Sequence, residues 1–565
     1  MELVKEKFAN GNIQFNIYDM AAKSLLSLAS GDALDFFMQS EQFHDFELPE
    51  YFDFSKVLQF VKERIGDSPY EECVNTIGAS RIPDVNFDIL LNKDGKYAVR
   101  PLMLCNPYLY YFLCRELCCA ENWDAVRKHF ESCTVPNISL CAMPVIPEEV
   151  EQFHKATVIL NWWNSMEQRS IELSLEYRYM FVSDIANCYG SVNPQSIDWA
   201  LSRKGTKKET SKNHGLASAI MRYLIDFQYG RNIGIPQGCT VFHLIAEIIL
   251  SYADLLLHER IRKSGIREAY TILRYRDDYR IFCNNKDALE SISYLLQQVL
   301  ESLNFRMNTA KTRISDSVIT DSIKPDKLAY IYNTPIFNKK NCDFDGLQKY
   351  LLYILMFGRK YPDAGQLKTL LSDFDRRVME KLKPRKVFSI DLADNDSTSS
   401  MEEVEMPGKL SENVRAMTAI ATQIALENVS VTHYALRVIS RMLDSVKEEE
   451  EHDDLVDKVC KKLINRPNST YSKLWLQNMT YQQDVRRKKC PYDSRLCRLV
   501  MGEDVELWNL SWLKPEYAKD FPQSTIIDKE ALAKVSHVIT FRETRSYWDW
   551  LESLDREGLT SLATI

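Results

Sequence analysis

No apolar run in this 565-residue chain reads by itself as a bilayer span, and the first residues, MELVKEKFANGN, have no apolar leader core. The expectation is a cytoplasmic protein with no membrane partner. There is no CxxC pair and no Cys/His cluster with zinc-site spacing, so a structural zinc module is not expected. The 14 cysteines are scattered over a long chain, which reads as reduced thiols rather than a disulfide framework. Cys114 and Cys118 share a helical face beside Cys119 in the apolar run YLYYFLCRELCCA, a setting for buried thiols.

A basic excess is missing too. The net charge is −8, and the basic clusters SRKGTKK (202–208), KLKPRK (381–386) and VRRKK (485–489) are offset by acidic stretches such as EEEEHDD (448–454). Taken singly, each cluster reads as a solvated face. Whole-chain charge does not exclude a local anionic-ligand groove.

What is present is a chain long enough for more than one core, with a change of character along it. Residues 1–75 read as a helical segment. Residues 76–180 begin with strand-like FDILLN and KYAVRPL around the turn LNKDGKY, whose Asp-Gly is a hairpin signal, and continue with helical sequence. Over 181–335 the order is a strand ending in an aspartate (YRYMFVSDI, 177–185), helix, the loop GIPQG, a strongly apolar helix, then YTILRY, DDYRIFC, a helix at 287–303 and a short strand. That order predicts an α+β layer, an antiparallel sheet with helices on one face. Residues 336–565 read as successive amphipathic helices with no fixed repeat period, and the polar, acidic stretch near 391–409 reads as a mobile loop.

Three acids stand at strand ends: Asp184 after FVS, and Asp277 and Asp278 in the turn of ILRYRDDYRIF. Adjacent carboxylates at a hairpin tip repel unless a cation joins them; divalent ions would keep all of them ionised. Phosphoryl transfer uses such a set, with two Mg²⁺ ions about 3.5–4 Å apart. Asp-Asp is also ordinary turn chemistry, so the pair alone decides little.

The companions of these acids resemble the palm motifs of the reverse-transcriptase family, in order and at the family's spacing, over roughly residues 75–335. VSDIANCYGSV is similar to the first motif, IGIPQGCTVFHLIAEI to the second, YRDD to the third and LNFRMNTAKTRI to the fourth; GKYAVRPLMLCNPYLYYFL resembles the fingers segment. The resemblance implies a metal set of Asp184, Ile185, Asp277 and Asp278, holding two Mg²⁺ (or Mn²⁺) ions, and a lysine, Lys311, acting on the leaving pyrophosphate. It implies nucleotide contacts from Arg100, Tyr189, Gln237 and Gly238, with Tyr189 packing under the sugar and favouring dNTPs. Arg81 in SRIPD is a further nucleic-acid contact candidate. Cys239, where the family has a smaller residue, is a mild departure.

The fingers stretch and the helical C-terminal third look most like the bacterial defence-associated and abortive-infection branch. That implies fingers and palm followed by an all-helical, HEAT-like αα-stacked domain, homo-oligomers, and a role in phage defence. It also implies a DNA product made on a non-coding RNA or without template, in some members primed from a tyrosine. Two other readings are open to the sequence: an RNA-binding scaffold with an inactive palm, and a hydrolase using Asp184 and Asp277 as acid and base.

Overall fold

The computed structural model describes residues 22–93, 97–147, 158, 161–202, 207–338, 346–383, 385–390, 401–406, 410 and 413–544. Near its start a short strand, β1 (Ala22–Ser24), precedes helix α1 (Ser55–Ile65), which buries Val57, Leu58, Val61 and Ile65 along one stripe. Strands β2 (Phe87–Asn92) and β3 (Val99–Leu104) then pair antiparallel, with Phe87, Ile89 and Leu91 alternating inward. The hairpin expected here is formed, while its Asp-Gly tip lies outside the described residues. Helix α2 (Pro107–Cys118) starts where Asn106 accepts from the Tyr108 and Leu109 N–H groups, with Pro107 in the first turn. Cys114 and Cys118 are buried in it.

The next strands build the sheet that carries the candidate site. They are β4 (Ile138–Leu140), β5 (Val145–Pro147, paired with β1), β6 (Tyr179–Asp184), β7 (Tyr270–Tyr275), β8 (Asp278–Cys283) and β9 (Arg313–Ser315). Five of them form one sheet in the order β4-β7-β8-β6-β9, with β4 parallel to β7 and the other pairs antiparallel. Between β6 and β7 run α3 (Lys207–Phe227) and α4 (Thr240–Ser264), and α5 (Lys286–Ser302) follows β8. Helix α5 lies on β6 and β8 and packs against α4. The opposite face is covered by a second cluster containing Met166, Leu173, Tyr177, Met180, Leu273 and Phe282. Cover on both faces explains why YMFV and IFC are unbroken apolar runs rather than alternating ones.

Helix α4 is long and apolar enough to cross a membrane, which corrects the expectation that no such stretch exists; 89% of its apolar window is buried inside the protein. It was hidden in the sequence by polar residues at 240, 243, 247, 251 and 254, spaced 3, 4, 4 and 3, so they form one stripe along the helix. That stripe faces polar partners. Arg274 of β7, wholly buried, donates from Nε to Asp254 (2.7 Å) and from Nη1 to Glu247 (2.8 Å) and to the Arg276 carbonyl (3.2 Å). Tyr279 of β8 donates to the other Asp254 oxygen at 3.1 Å. Two carboxylates share one guanidinium, and burial pushes Asp254 up to about 6 in spite of Arg274.

Beyond the sheet, α6 (Leu347–Lys360) packs on α7 (Gln366–Leu382), α8 (Val414–Glu427) on α9 (Thr432–Asp444), and α10 (Glu449–Ile464) on α11 (Thr470–Arg487). The pairs stack as two rows, α6-α8-α10 and α7-α9-α11. The region is not all-helical: β10 (Arg385–Ile390) and β11 (Met401–Met406) form an antiparallel hairpin between the first and second pairs. The stretch read as a loop near 391–409 therefore contains a strand, while 391–400 and 407–409 lie outside the described residues. The pairs differ in length and the hairpin interrupts them, so the stack is irregular where a HEAT-like repeat would be uniform.

Residues 505–528 return to the first part of the chain. Trp508 Nε1 donates to the Leu104 carbonyl (3.1 Å), Asn75 N–H to Trp512, Lys514 N–H to Cys73, and Asp528 N–H to Tyr51. Bridges join Phe52 to Ile527 and Val74 to Leu513, and one apolar core runs from Leu25 to Ile539.

Removing the shared guanidinium should be costly, because two buried carboxylates lose their partner. Arg274→Ala should lower stability in equilibrium urea unfolding by about 3–5 kcal/mol, and adding Glu247→Gln and Asp254→Asn to Arg274→Met should recover most of it. A loss below about 1 kcal/mol for Arg274→Ala would show that the pair contributes no more than a surface ion pair.

Candidate active site

Strand β6 delivers Asp184 to the sheet edge, and the hairpin β7–β8 delivers the other two acids. Its turn is two residues, Arg276 and Asp277, with Arg276 in the left-handed region at φ 53°. A non-glycine residue there costs roughly 1 kcal/mol and persists only where neighbours hold it. Here the Arg274 guanidinium holds the Arg276 carbonyl. Asp278 opens β8 directly opposite Asp184, and the Asp277 carbonyl accepts from the Ile185 N–H at 3.0 Å. The three aspartates are thus brought together by strand register, and Ile185 lies beside them, buried and bridged to Met307.

Lys311 completes the group. The chain around it is docked by Asn308 N–H on the Asp184 carbonyl (2.8 Å) and Ala186 N–H on the Arg306 carbonyl (2.8 Å), and the Lys311 ammonium hydrogen-bonds Asp184 Oδ2. Asp184 is buried while the Lys311 side chain is 62% exposed, so the ammonium can leave without unfolding anything.

The charges do not balance without further cations. Burial and then Asp278 push Asp277 up to about 6, with Asp184 adding to the rise. Burial raises Asp278 too, against the pull of Lys324 and Lys311. Asp184 Oδ1 is a buried acceptor with no hydrogen-bond partner. An orphaned carboxylate oxygen beside two carboxyls pushed toward protonation fits a divalent cation. Among the described residues, no three His, Cys, Asp or Glu side chains cage an ion by themselves. Mg²⁺ suits that arrangement, since it takes one or two carboxylates and fills its shell with water and phosphate oxygens.

The nucleotide-side residues sit on a second set of contacts. Tyr189 follows a left-handed turn at Asn187, and its hydroxyl meets His243 Nδ1 at 2.6 Å. Its carbonyl accepts from the Ile235 N–H (2.8 Å), and Gly234 N–H donates to the Val192 carbonyl (2.7 Å), so the PQG loop is tied to the turn after β6. The same loop docks on β3, where Met103 N–H donates to the Gln237 carbonyl at 2.7 Å. Gly238, at φ 132°, lies so close that a Cβ would stand 2.5 Å from the Met103 carbonyl oxygen. Only glycine fits.

The Arg100 guanidinium pairs with Asp363 at 3.2 Å, an engagement with the helical region that the sequence did not suggest. Arg81 is the exposed last residue of a short turn, Ala79–Arg81, whose Ala79 is buried. Sequence reading passed over Asp45, His243, Arg274, Arg276 and Lys324, all of which contact or bias the group described above. The polar stripe on α4 was the available signal for His243.

The electrostatics predict a pH signature in metal-free protein. The folded state holds the Asp277 proton up to about pH 6, above the ordinary value of 3.8. That contribution to stability is fully present below the ordinary value and is lost as pH rises through about 6. Asp277→Asn should therefore gain on wild type by roughly 1–3 kcal/mol between pH 4 and pH 7, read by urea unfolding in chelator. No gain would mean Asp277 is freely solvated, and a change of opposite sign would mean the fold stabilises its carboxylate.

Residues 125–347 match the family model described as "Reverse transcriptase (RNA-dependent DNA polymerase)". No curated protein matches the sequence. Solved structures with detectable likeness include apo telomerase from Candida tropicalis truncated from its C-terminal domain. It is 12% identical, with 47% of this chain and 56% of that one covered at a TM-score of 0.28. Telomerase from Candida albicans with a TWJ fragment of telomeric RNA is 9% identical, with 74% and 67% covered at 0.28. Apo telomerase from Candida tropicalis is 12% identical, with 79% and 74% covered at 0.27. This chain spans only 56% of the first of these, and TM-scores so low establish no shared whole-chain architecture. The family match stands on its own: residues 125–347 are similar to the reverse-transcriptase family over that segment.

Proposed function

We propose that the chain joins deoxynucleotides by nucleotidyl transfer at Asp184, Asp277 and Asp278. The observation that carries this is the register of β6 on β8, which sets Asp184 opposite Asp278 with Asp277 in the adjoining turn and Lys311 on Asp184. Asp184, Asp277 and Asp278 would hold Mg²⁺, with the Ile185 backbone beside them. When bound, the ions lower the pKa of the attacking hydroxyl and neutralise the leaving pyrophosphate.

The chain's own residues do the rest. Gly238 lets the PQG loop close onto the Met103 backbone, and Gln237 next to it is partly exposed and would face the nucleotide. The Tyr189 ring lies under the sugar and leaves no room for a 2′ hydroxyl. Lys311 Nζ releases Asp184 and gives a proton, or its charge, to the pyrophosphate as it departs. Catalysis here is positioning plus charge stabilisation, the common logic of phosphoryl transfer.

The resemblance to the defence-associated branch supports a further proposal: a cytoplasmic homo-oligomer acting against phage, copying a non-coding RNA or no template, with Mn²⁺ able to replace Mg²⁺. Arg100 and Arg81 would contact nucleotide phosphate and nucleic acid. Sequencing the nucleic acid that co-purifies with the protein separates these cases. A defined RNA supports templating, and DNA linked to a tyrosine supports protein priming.

Purified full-length protein given dNTPs and Mg²⁺, with and without a primed RNA, should make DNA. Asp277→Ala with Asp278→Ala should reduce product by about 10³-fold or more, and Lys311→Ala by about 10²-fold. Equal product from wild type and the double variant would sink the proposal.

A further inference from the structure

We propose that Asp45 and His243 are positioning residues that lock the Tyr189 ring and so set the discrimination between deoxy- and ribonucleotides. This rests on the deoxynucleotide reading of the site given above. The geometry is a linear relay. The Tyr189 hydroxyl is 2.6 Å from His243 Nδ1, the two rings meet edge-on with centroids 5.7 Å apart, and His243 Nε2 is 2.8 Å from Asp45 Oδ2.

The relay is anchored at its far end. The Asp45 N–H donates to the Gly238 carbonyl at 2.9 Å, and three residues earlier Gln42 accepts from the Thr240 hydroxyl at 2.8 Å. One N-terminal segment therefore grips the PQG loop and the first turn of α4 together. Both polar ends of His243 are satisfied by this one segment and by Tyr189.

The proton positions follow from chemistry. The Asp45 carboxylate can only accept, so Nε2 carries the imidazole proton. Burial and then Arg276 hold His243 below its ordinary value, and the ring is neutral. Although burial alone would raise it, the bond from His243 with the nearby Arg276 charge keeps Asp45 below the ordinary carboxyl value. Nδ1 is left with a lone pair, so the Tyr189 hydroxyl must donate to it. The Tyr189 carbonyl is already fixed by Ile235, leaving only side-chain rotation, and rotation would break a largely buried hydrogen bond.

Exclusion of a hydroxyl depends on where the wall stands, to within about 0.5 Å. A ring tied at its para position is held; the same ring untied can tilt and admit the extra oxygen. The consequence is a selectivity that depends on residues remote from the nucleotide.

The test compares kcat/KM for a dNTP and the matching rNTP on the full chain. Tyr189→Phe removes one oxygen and should cut the dNTP preference about tenfold, the worth of one buried hydrogen bond. The drop should come mainly through a lower KM for the rNTP. His243→Ala should match it, and Tyr189→Phe with His243→Ala should lose no more, because both act through one bond. His243→Gln, which keeps an acceptor, should retain most of the preference, and Asp45→Asn should lose part of it. Wild-type preference in Tyr189→Phe, or additive losses in the double variant, would overturn the inference. Failure of wild type to incorporate dNTPs would instead overturn the proposed function, and the inference with it.

Discussion

The buried guanidinium of Arg274 is the contact on which the hairpin carrying Asp277 and Asp278 depends. It is attached to β7, bonded to two acids of α4, and bonded again to the carbonyl of the turn residue Arg276. The turn of this hairpin lies beyond its last paired residues, Tyr275 and Asp278. Here its tip is held from below by a charged group that water cannot reach, so the carboxylates it presents have a fixed place. The cost is a pair of acids that cannot both be fully neutralised by one cation, and burial raises Asp254 accordingly.

The face above repeats that situation with less charge compensation. Asp184, Asp277 and Asp278 have Lys311 within bonding reach of one of them and the field of Lys324 at another. Below the hairpin the positive charge is built in and rigid. Above it the one bonded cation sits on a long, exposed side chain. The lower cluster is therefore fixed in place, while the upper one can lose its bonded cation without disturbing the fold.

The candidate site was legible where its residues are local. Asp184 and the Asp277-Asp278 turn end apolar strands, Tyr189 follows five positions later, and PQG and Lys311 come in order, so contiguous motifs carried them. Asp45 and His243 are 198 residues apart, and nothing in either neighbourhood announces the other. The polar stripe 240-243-247-251-254 on an apolar helix was visible in the sequence, yet it reads as noise until a partner for each residue is known. The sheet was predicted from runs of apolar residues, and the β10–β11 hairpin was missed because acidic, polar composition resembles a linker. The Arg100 pair with Asp363 was illegible for the same reason as the Asp45 relay: it joins distant segments.

The return of residues 505–528 to the first hundred residues bears on how the chain is made. The Trp508 bond to Leu104 spans 404 positions, and the Arg64 guanidinium reaches the Glu516 carbonyl across 452. On a ribosome moving at about 5–20 residues per second, the edge of the β2–β3 hairpin waits roughly 20–80 s for its partner. For that interval the apolar surface that Trp508, Trp512 and Ile527 will cover is open to solvent and to other nascent chains. The β2–β3 hairpin thus reaches its final support only once residues 505–528 have been made, so their synthesis is a checkpoint on assembly of the fold.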